Sequence, residues 1–230
     1  MTRPYNLSMS ETTGAVSFSD LTVGQFVERL SSAEPVPGGG AASAVAAALG
    51  ASLISMVAAL STGRPKYAAY AETHAKCAAI GRELAAEFMI LSDKDADAYA
   101  GYSAALKMPR ETDEQKLARQ SAVHIAAKAA SEAPFDCVKA CGRLLTAAEA
   151  LAGRSNVNAA SDVLVAALLG EAAARGAAEN VLINLPSTDD ELYADSMRWR
   201  VDRALHDIAA AAARTREIVL SGQSQDPEPA

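Results

Sequence analysis

Three carboxylates, Asp93, Asp95 and Asp97, crowd into one short stretch where most other side chains are apolar or small. Asp93 and Asp97 are four residues apart and share a helix face, whereas Asp95 points largely elsewhere. Crowded carboxylates repel each other, so one of them can keep its proton near neutral pH and act as a general acid or base. The alternative interpretation is a solvated acidic face of a helix.

A run of glycines precedes a stretch without charge: Pro37 and Gly38 to Gly40 are followed by residues 41–60, which contain no Asp, Glu, Lys or Arg. Bare N–H groups at a helix N-terminus can bind an anion or a carbonyl oxygen, and glycine lets a ligand approach the main chain. The run has neither the Lys-Ser/Thr of a Walker loop nor the strand and third glycine of a dinucleotide-binding motif. A tight turn and a ligand-binding loop both remain open.

A set of polar side chains lies among Ala, Val and Leu in the last third of the chain. Its members are Asn156, Asn158, Ser161, Asp162, Asn180 and Asn184. Burying such groups costs free energy unless each one finds a hydrogen-bond partner. Asn158, Ser161 and Asp162 lie near a predicted helix start, so that N-capping and substrate binding are both open.

Metal and nucleophile chemistry have weaker support. Cys137 and Cys141 are four residues apart, but no second pair of Cys or His with zinc-binding spacing accompanies them, which favours packing in the core. The three histidines are dispersed and no Glu-x-x-His occurs, which disfavours a di-iron bundle, and we expect no metal. No Gly-x-Ser-x-Gly nucleophile elbow is present, although composition alone does not exclude a Ser-His-Asp triad.

The composition predicts one all-helical domain. Of the 230 residues, half are apolar and only 5% are aromatic, so the core is expected to consist of Ala, Val and Leu in closely packed helices. A net charge of −7 disfavours a nucleic-acid or membrane partner. Three cysteines, an odd number, disfavour a disulfide framework and predict a reducing compartment, the cytoplasm.

Helical periodicity and chain breakers predict the elements. Capping-box spacings mark three helix starts, at Thr22 with Gln25, Thr112 with Gln115, and Thr188 with Glu191. We expect helices at 23–31, 41–60, about 67–106, 112–151 with an end or kink at Pro134, about 158–175 and 188 to about 220, and a short apolar piece at 180–185 that Pro186 ends. The sequence of residues 41–60 predicts a buried central helix. Ala, Ser and Gly dominate it, whereas Leu and Ile would dominate a membrane span. Residues 1–17 are expected to be a flexible arm without a secretory signal, 18–220 the helical domain, and 221–230 a disordered tail.

Together, these segments resemble the cyclodeaminase/cyclohydrolase family, which includes the C-terminal domain of formiminotransferase-cyclodeaminase and stand-alone methenyltetrahydrofolate cyclohydrolases. The resemblance covers roughly residues 18–220 and rests on several motifs in the same order. These are residues 35–43 (PVPGGGAAS), Met56-Val57 with Leu60 and Gly63, Lys66-Tyr67, Asp93 and Asp95 with Ala98-Tyr99, residues 156–162, and Asn180-Val181 with Asn184. The chain departs from the family pattern at Ser155, where glycine is usual, at Met108, where leucine is common, and at Pro186, where lysine is frequent. The last departure puts one anion contact in doubt.

The resemblance implies a helical homodimer with its active site near the subunit interface, a tetrahydrofolate derivative as substrate, and no tightly bound cofactor. A carboxylate beside the cationic methenyl carbon would stabilise it and handle a proton. Asp95 or Asp93 is the candidate catalytic group, with Asp162 as the alternative. Substrate contacts are expected from Pro37, Gly38, Gly39, Gly40, Ser43, Lys66, Asn158, Ser161, Asn180 and Asn184. Among these residues, Lys66 is expected to meet the glutamate tail.

The expected activity is that of a methenyltetrahydrofolate cyclohydrolase, which converts 5,10-methenyltetrahydrofolate and water to 10-formyltetrahydrofolate. It is preferred because no formiminotransferase domain is attached that would supply a formimidoyl substrate. One alternative is a formimidoyltetrahydrofolate cyclodeaminase, which releases ammonia. A second alternative, from another class, is a non-catalytic folate-binding or helical assembly module.

Overall fold

The computed structural model describes residues 17–227, which form six α-helices and four short 3-10 segments. The helices are α1 (Val23–Leu30), α2 (Gly39–Ser61), α3 (Ala71–Leu106), α4 (Asp113–Leu151), α5 (Ala160–Asn184) and α6 (Glu191–Ser221). No strand occurs among these residues, and the expected all-α class is confirmed. The predicted arm lies outside the described residues apart from Ser17.

Helix starts follow local hydrogen bonding, and two of the three predicted capping boxes are present. Thr22 with Gln25 caps α1, and Thr112 with Gln115 caps α4. The third prediction is wrong. Thr188 Oγ1 donates to Leu185 O inside a 3-10 turn, and Asp190 caps α6 by accepting from the N–H of Tyr193. An Asp two residues later in the chain therefore replaces the predicted threonine.

Two helices form the centre of the fold, α2 and α5, and they run antiparallel. Gly39 at the start of α2 lies beside Asn180 near the end of α5, and at the other end Asn156 N–H donates to Ser61 Oγ over 2.8 Å. Glycine permits this close packing: a Cβ at Gly50 would lie 3.1 Å from the carbonyl oxygen of Ala166. The helices α3 and α4 pack on the same pair, and Gly81 of α3 crosses directly over the α2 backbone.

Two boundary predictions need correction. The helix that was expected to end at about residue 175 continues through Gly176 and includes the predicted piece 180–185 almost to its end. The helix that starts at Asp113 does not end at Pro134 but continues to Leu151. In the described part of the tail, residues 222–227, Gln225 N–H donates to Gly153 O and Tyr70 Oη donates to Gln225 O, and the expected disorder of residues 221–230 stays a prediction.

Two helices among residues 17–227 satisfy the length and composition of a membrane span, Gly39–Ser61 and Val157–Thr188. Buried residues make up 44% and 39% of their most apolar windows. The core helices of soluble proteins meet the same criterion, so this property alone assigns neither helix to a membrane. Helix α2 does lie at the centre of the fold, as its uncharged sequence predicted.

Candidate functional site

A cleft of about 250 Å³ opens where α2 begins and α5 ends. Four parts of the chain line it: the loop before α2, the middle of α3, one residue of α4 and the end of α5. The lining residues are Pro35, Val36, Gly38, Gly39, Asp95, Tyr99, Tyr102, Ala130, Asn180, Ile183 and Asn184. The fold thus brings the predicted glycine loop, one predicted aspartate and two predicted asparagines to one place.

Asp95 is half-buried in this cleft and lies against the N-terminus of α2. The N–H of Ala41 donates to its carboxylate, and a Cβ at Gly40 would overlap the carboxylate oxygens. Burial raises the pKa of the Asp95 carboxyl, while the hydrogen bond from Ala41 acts in the opposite direction. Glycine at position 40 is therefore required for this aspartate to approach the helix end, and the raised pKa makes its carboxylate a stronger base than an ordinary aspartate.

Asn180 and Asn184 lie one turn apart at the end of α5 and present amide groups to the cleft. Asn180 Nδ2 donates to Gly176 O over 2.8 Å, and its side chain faces Gly39. Asn184 Nδ2 donates to Ala130 O of α4 and to Asn180 O. Main-chain contacts therefore hold both side chains in place, as the cost of burying polar groups required.

Two tyrosines complete the wall. Tyr99 and Tyr102 follow Asp95 on α3 at four and seven residues, a spacing that places all three on one helix face. The Tyr102 hydroxyl donates to Ser187 Oγ over 2.9 Å. Sequence reasoning did not assign these tyrosines to the site, although the spacing from Asp95 would have identified them.

Asp93 lies outside the cleft. Its carboxylate accepts from the N–H of Phe18 over 2.8 Å and from the hydroxyl of Ser17. These contacts connect the segment that precedes α1 to α3. Phe18 of this segment also packs edge-to-face on Phe26 of α1. The geometry therefore favours Asp95 over Asp93 as the acid–base group and gives Asp93 a structural contact instead.

Ser43 and Pro37 support the cleft without lining it. Ser43 Oγ donates to Gly39 O over 2.8 Å and lies against Gly176, so that it joins the first turn of α2 to α5. Pro37 is buried and follows a cis peptide bond in the loop. The predicted substrate contacts of these two residues stay predictions.

Four predicted site residues lie at the opposite end of the α2/α5 pair: Lys66, Asn158, Ser161 and Asp162. Helix α5 has 25 residues and is about 37 Å long, with Ser161 and Asp162 in its first turn and Asn184 as its last residue. Lys66 lines a separate, smaller cleft of about 130 Å³ together with Tyr67 and Gly153. One chain therefore does not bring these four residues to the Asp95 cleft. Asp162 in particular is too distant to act with Asp95 within one protomer.

Asn156, one of the polar residues at that distant end, forms hydrogen bonds within the protein. Its Oδ1 accepts from the N–H of Asn158, its N–H donates to Ser61 Oγ, and the next N–H, of Val157, donates to the Tyr67 hydroxyl. Asn156 therefore caps the 3-10 turn Val157–Ala159, whereas the N-cap of α5 is Ala159 and makes no side-chain hydrogen bond, so that N-capping of α5 by Asn158 or Ser161 is not observed. The exposed side chains of Asn158 and Ser161 keep their predicted substrate contacts as predictions.

The chemical character of the Asp95 cleft is that of a hydrogen-bond acceptor. Among the described residues that line it, one is a carboxylate, two are amides, two are phenols, and none is Lys, Arg or His. Such a cleft favours a cationic or N–H-bearing ligand and disfavours an anion. No group of three or more His, Cys, Asp or Glu side chains within residues 17–227 is placed to hold a metal ion.

An all-helical bundle in which a carboxylate of raised pKa shares a cleft with two oriented amides has the groups of an acid–base enzyme. The sequence profile described as Formiminotransferase-cyclodeaminase matches residues 22–203. The chain is 34% identical to the methenyltetrahydrofolate cyclohydrolase of Methylorubrum extorquens over 204 residues, which cover 87% of this chain and 96% of the relative. This chain belongs to the formiminotransferase-cyclodeaminase family.

Relatives with another activity in their names match nearly the same region. The formimidoyltransferase-cyclodeaminase of Rattus norvegicus is 32% identical over 86% of this chain, but the match spans only 36% of that longer protein. The solved structure of a formiminotetrahydrofolate cyclodeaminase from Thermotoga maritima superposes with a TM-score of 0.80 at 26% identity, covering 88% of this chain and 98% of that one. The fold is therefore shared by relatives named for hydrolysis and for deamination.

Proposed function

We propose that this protein is a methenyltetrahydrofolate cyclohydrolase, which adds water to 5,10-methenyltetrahydrofolate to give 10-formyltetrahydrofolate. The observation that carries the proposal is the Asp95 cleft, where a carboxylate of raised pKa lies against a helix N-terminus in a wall without cationic side chains. The methenyl bridge is a cationic amidinium, and this acceptor-lined wall is complementary to it.

The residues of the cleft suit each step of that hydrolysis. A water molecule attacks the bridge carbon and loses one proton to the Asp95 carboxylate, which gives a neutral tetrahedral adduct. The bond between the carbon and N5 then breaks: N5 gains a proton, the hydroxyl of the adduct loses its proton as it becomes the formyl C=O, and the formyl group remains on N10, so that the overall reaction releases one proton. Asp95 serves as the base in the first step and can return a proton to N5 in the second.

Cyclodeamination is the second candidate, because its product is the methenyl cation that hydrolysis consumes. In that reaction N10 attacks a formimidoyl carbon, and the leaving ammonia needs a proton, which Asp95 could supply. Hydrolysis is preferred because the relative named for it is 34% identical across 96% of its own length, whereas the single-domain relative named for deamination is 26% identical.

One assay separates the two activities. Purified protein is supplied with methenyltetrahydrofolate and, separately, with formimidoyltetrahydrofolate, each against a protein-free blank that corrects for spontaneous reaction. Loss of the methenyl absorbance above the blank supports the proposal. Ammonia release from the formimidoyl compound, without faster loss of the methenyl compound, would replace it by cyclodeamination.

We also propose a homodimer in which the site is shared between protomers. Exposed apolar side chains run along the outer face of the α2/α5 pair, and they are Leu49, Met56 and Leu60 of α2 with Val165 and Leu168 of α5. A second copy packed antiparallel on this face would bring its Lys66 end towards the Asp95 cleft of the first. The dimer therefore accounts for predicted site residues that lie about 37 Å apart in one chain.

The oligomer proposal is tested by light scattering during gel filtration without detergent. Wild type is expected at the mass of two chains, and Leu168→Glu is expected at the mass of one with reduced turnover. Glu in place of the exposed Leu192 of α6 is the matched control, because Leu192 lies on another helix. A monomeric wild type with full activity would contradict the shared site. We place the enzyme in the cytoplasm, where the thiols of Cys77, Cys137 and Cys141 would remain reduced, and assign it no cofactor besides its folate substrate.

A further inference from the structure

Pro134 lies in the interior of α4, where proline is unfavourable, and it is buried there. Proline has no N–H, so the carbonyl four residues earlier in the helix, that of Ala130, loses its usual partner. A buried carbonyl without a partner costs free energy, and some other donor must replace the missing one. Pro134 thereby creates a free acceptor on α4 beside the Asp95 cleft, which Ala130 lines.

Asn184 of α5 supplies the replacement. Its Nδ2 donates to Ala130 O over 2.9 Å and to Asn180 O over 2.7 Å, so both amide hydrogens are used on main-chain carbonyls. The reverse orientation of the amide would place Oδ1 against two carbonyl oxygens, which is repulsive. The contact between the two helices therefore fixes which way the Asn184 side chain points.

The carbonyl oxygen of the same side chain is left for a ligand. Within residues 17–227 no donor lies within hydrogen-bond distance of Asn184 Oδ1. Every buried side-chain nitrogen or oxygen in this part of the chain has a hydrogen-bond partner, so Oδ1, which has none, is not buried. Oδ1 is therefore reachable from the cleft that Asn184 lines. Asn184 presents an acceptor there and has no donor to spare.

We infer that Pro134 is a positioning residue for the ligand: by freeing Ala130 O, it locks the Asn184 amide so that Oδ1 accepts an N–H of the bound molecule. The chemical class of that ligand group is a ring N–H or amino group of a nitrogen heterocycle. The identity of the heterocycle, a reduced pterin, rests on the proposed folate function. Asn184 contacts the ligand, and Pro134 acts through Asn184.

The test is Pro134→Ala, which restores an N–H to the helix as a competitor for Ala130 O. With Asn184 released, the KM for methenyltetrahydrofolate is expected to rise about threefold to tenfold, the effect of one weakened hydrogen bond, while kcat stays within about twofold. Pro186→Ala is the matched control, since Pro186 lies two residues after Asn184 at the start of a 3-10 turn and leaves Ala130 O unchanged. The control is expected to keep the wild-type KM.

A double variant distinguishes positioning from a general effect on structure. If Pro134 acts only through Asn184, Pro134→Ala combined with Asn184→Ala has the same KM as Asn184→Ala alone. Independent, additive increases in KM would overturn the inference, and so would an unchanged KM in Pro134→Ala. If Pro134→Ala does not fold, Asn184→Asp tests the contact from the other side, because it replaces both donated hydrogens with an oxygen facing two carbonyls. A wild-type KM in Asn184→Asp would equally overturn the inference.

A readout without turnover keeps this inference separate from the proposed function. In ¹⁵N NMR of the full chain, the side-chain NH₂ hydrogens of Asn184 are expected to exchange slowly with solvent in wild type and in Pro186→Ala, and faster in Pro134→Ala. Equal exchange in all three would refute the positioning role. If wild type turns over no folate, the proposed function fails, while the NMR comparison still decides the role of Pro134.

Discussion

The two ends of the antiparallel α2/α5 pair differ in what their polar groups do. At the Asp95 end, a carboxylate and two amide oxygens face an open cleft without a cationic side chain among the described lining residues. At the Lys66 end, Asn156, Ser61 and Tyr67 are occupied with one another and with main-chain N–H groups. Polar groups that satisfy each other stabilise the fold, whereas groups left open towards a cleft are available to a ligand.

The difference shows that residue type alone does not separate function from structure. Asn156 and Asn184 are both asparagines in apolar surroundings, yet Asn156 caps a helix turn and Asn184 presents an acceptor to a cleft. What separates them is the partner of each hydrogen-bonding atom.

The largest effect is expected for Asp95→Asn, which keeps the shape of the side chain but removes the base. Turnover of methenyltetrahydrofolate is expected to fall about 100-fold to 10,000-fold. Asp93→Ala, two residues away, is the comparison: it loses the contacts to Ser17 and Phe18 and is expected to cost about 1–2 kcal/mol of stability with turnover retained. Steady-state kinetics and urea unfolding of both variants test this, and equal loss of turnover would contradict the choice of Asp95.

A smaller loss of turnover is expected for Gly40→Ala, since the new methyl group would displace the Asp95 carboxylate from the helix end. A displacement of this kind lowers kcat by about 10-fold to 100-fold. Gly101→Ala provides the control on the same helix as Asp95, with open space around the new methyl group and an expected gain of about 0.5–1 kcal/mol in helix stability. Full activity in Gly40→Ala would show that the close approach of Asp95 to α2 is dispensable.

Mixing two inactive or weakened variants tests whether the two ends meet across a dimer. Lys66→Ala is expected to raise KM about threefold to tenfold if Lys66 reaches a partner's cleft. After refolding Asp95→Asn together with Lys66→Ala, half of the dimers carry one intact composite site. At low substrate concentration these composite sites are expected to contribute about a quarter of the wild-type activity, in addition to the activity that comes from Lys66→Ala alone. No gain on mixing would mean that each site is built from one chain.

The smallest effect is on stability and depends on pH. Because the pKa of Asp95 is higher in the folded protein than in the unfolded chain, its ionised form destabilises the fold. Asp95→Asn is therefore expected to unfold at a higher temperature than wild type at neutral pH. As the pH falls through the folded pKa and then the unfolded one, this advantage disappears. Thermal unfolding measured from neutral to acidic pH checks the trend, and a wild type more stable than the variant at neutral pH would contradict it.

The sequence was most informative where one local interaction decides the structure. Thr22 with Gln25 and Thr112 with Gln115 cap their helices as predicted, because both partners lie within one turn. A helix end at Pro134, one of the two outcomes expected there, was wrong, because a tertiary contact overrides the local rule: Asn184 replaces the hydrogen bond that the proline removes, so α4 continues. Such a contact joins residues more than 50 positions apart and leaves no local pattern. The end predicted at about residue 175 was also wrong, since α5 continues to Asn184.

The sequence predicted several residues of the candidate site, but not which of the candidate residues lie together in the structure. Gly38 to Gly40, Asp95, Asn180 and Asn184 were identified by type and spacing, and the fold assembles them. Asn158, Ser161 and Asp162 were identified by type in the same polar set as Asn180 and Asn184, and Lys66 entered through the family resemblance; neither source carries distances. Their separation from the cleft follows from the antiparallel packing of α2 on α5, which spacing along the chain does not reveal.

The most direct test of the Asp95 cleft is a crystal structure of Asp95→Asn with methenyltetrahydrofolate bound, since a variant without the base can hold the unreacted substrate. The account predicts the methenyl carbon beside the residue 95 side chain and an N–H of the pterin donating to Asn184 Oδ1. A folate bound at the Lys66 end, with no atom in the cleft between α2 and α5, would contradict it.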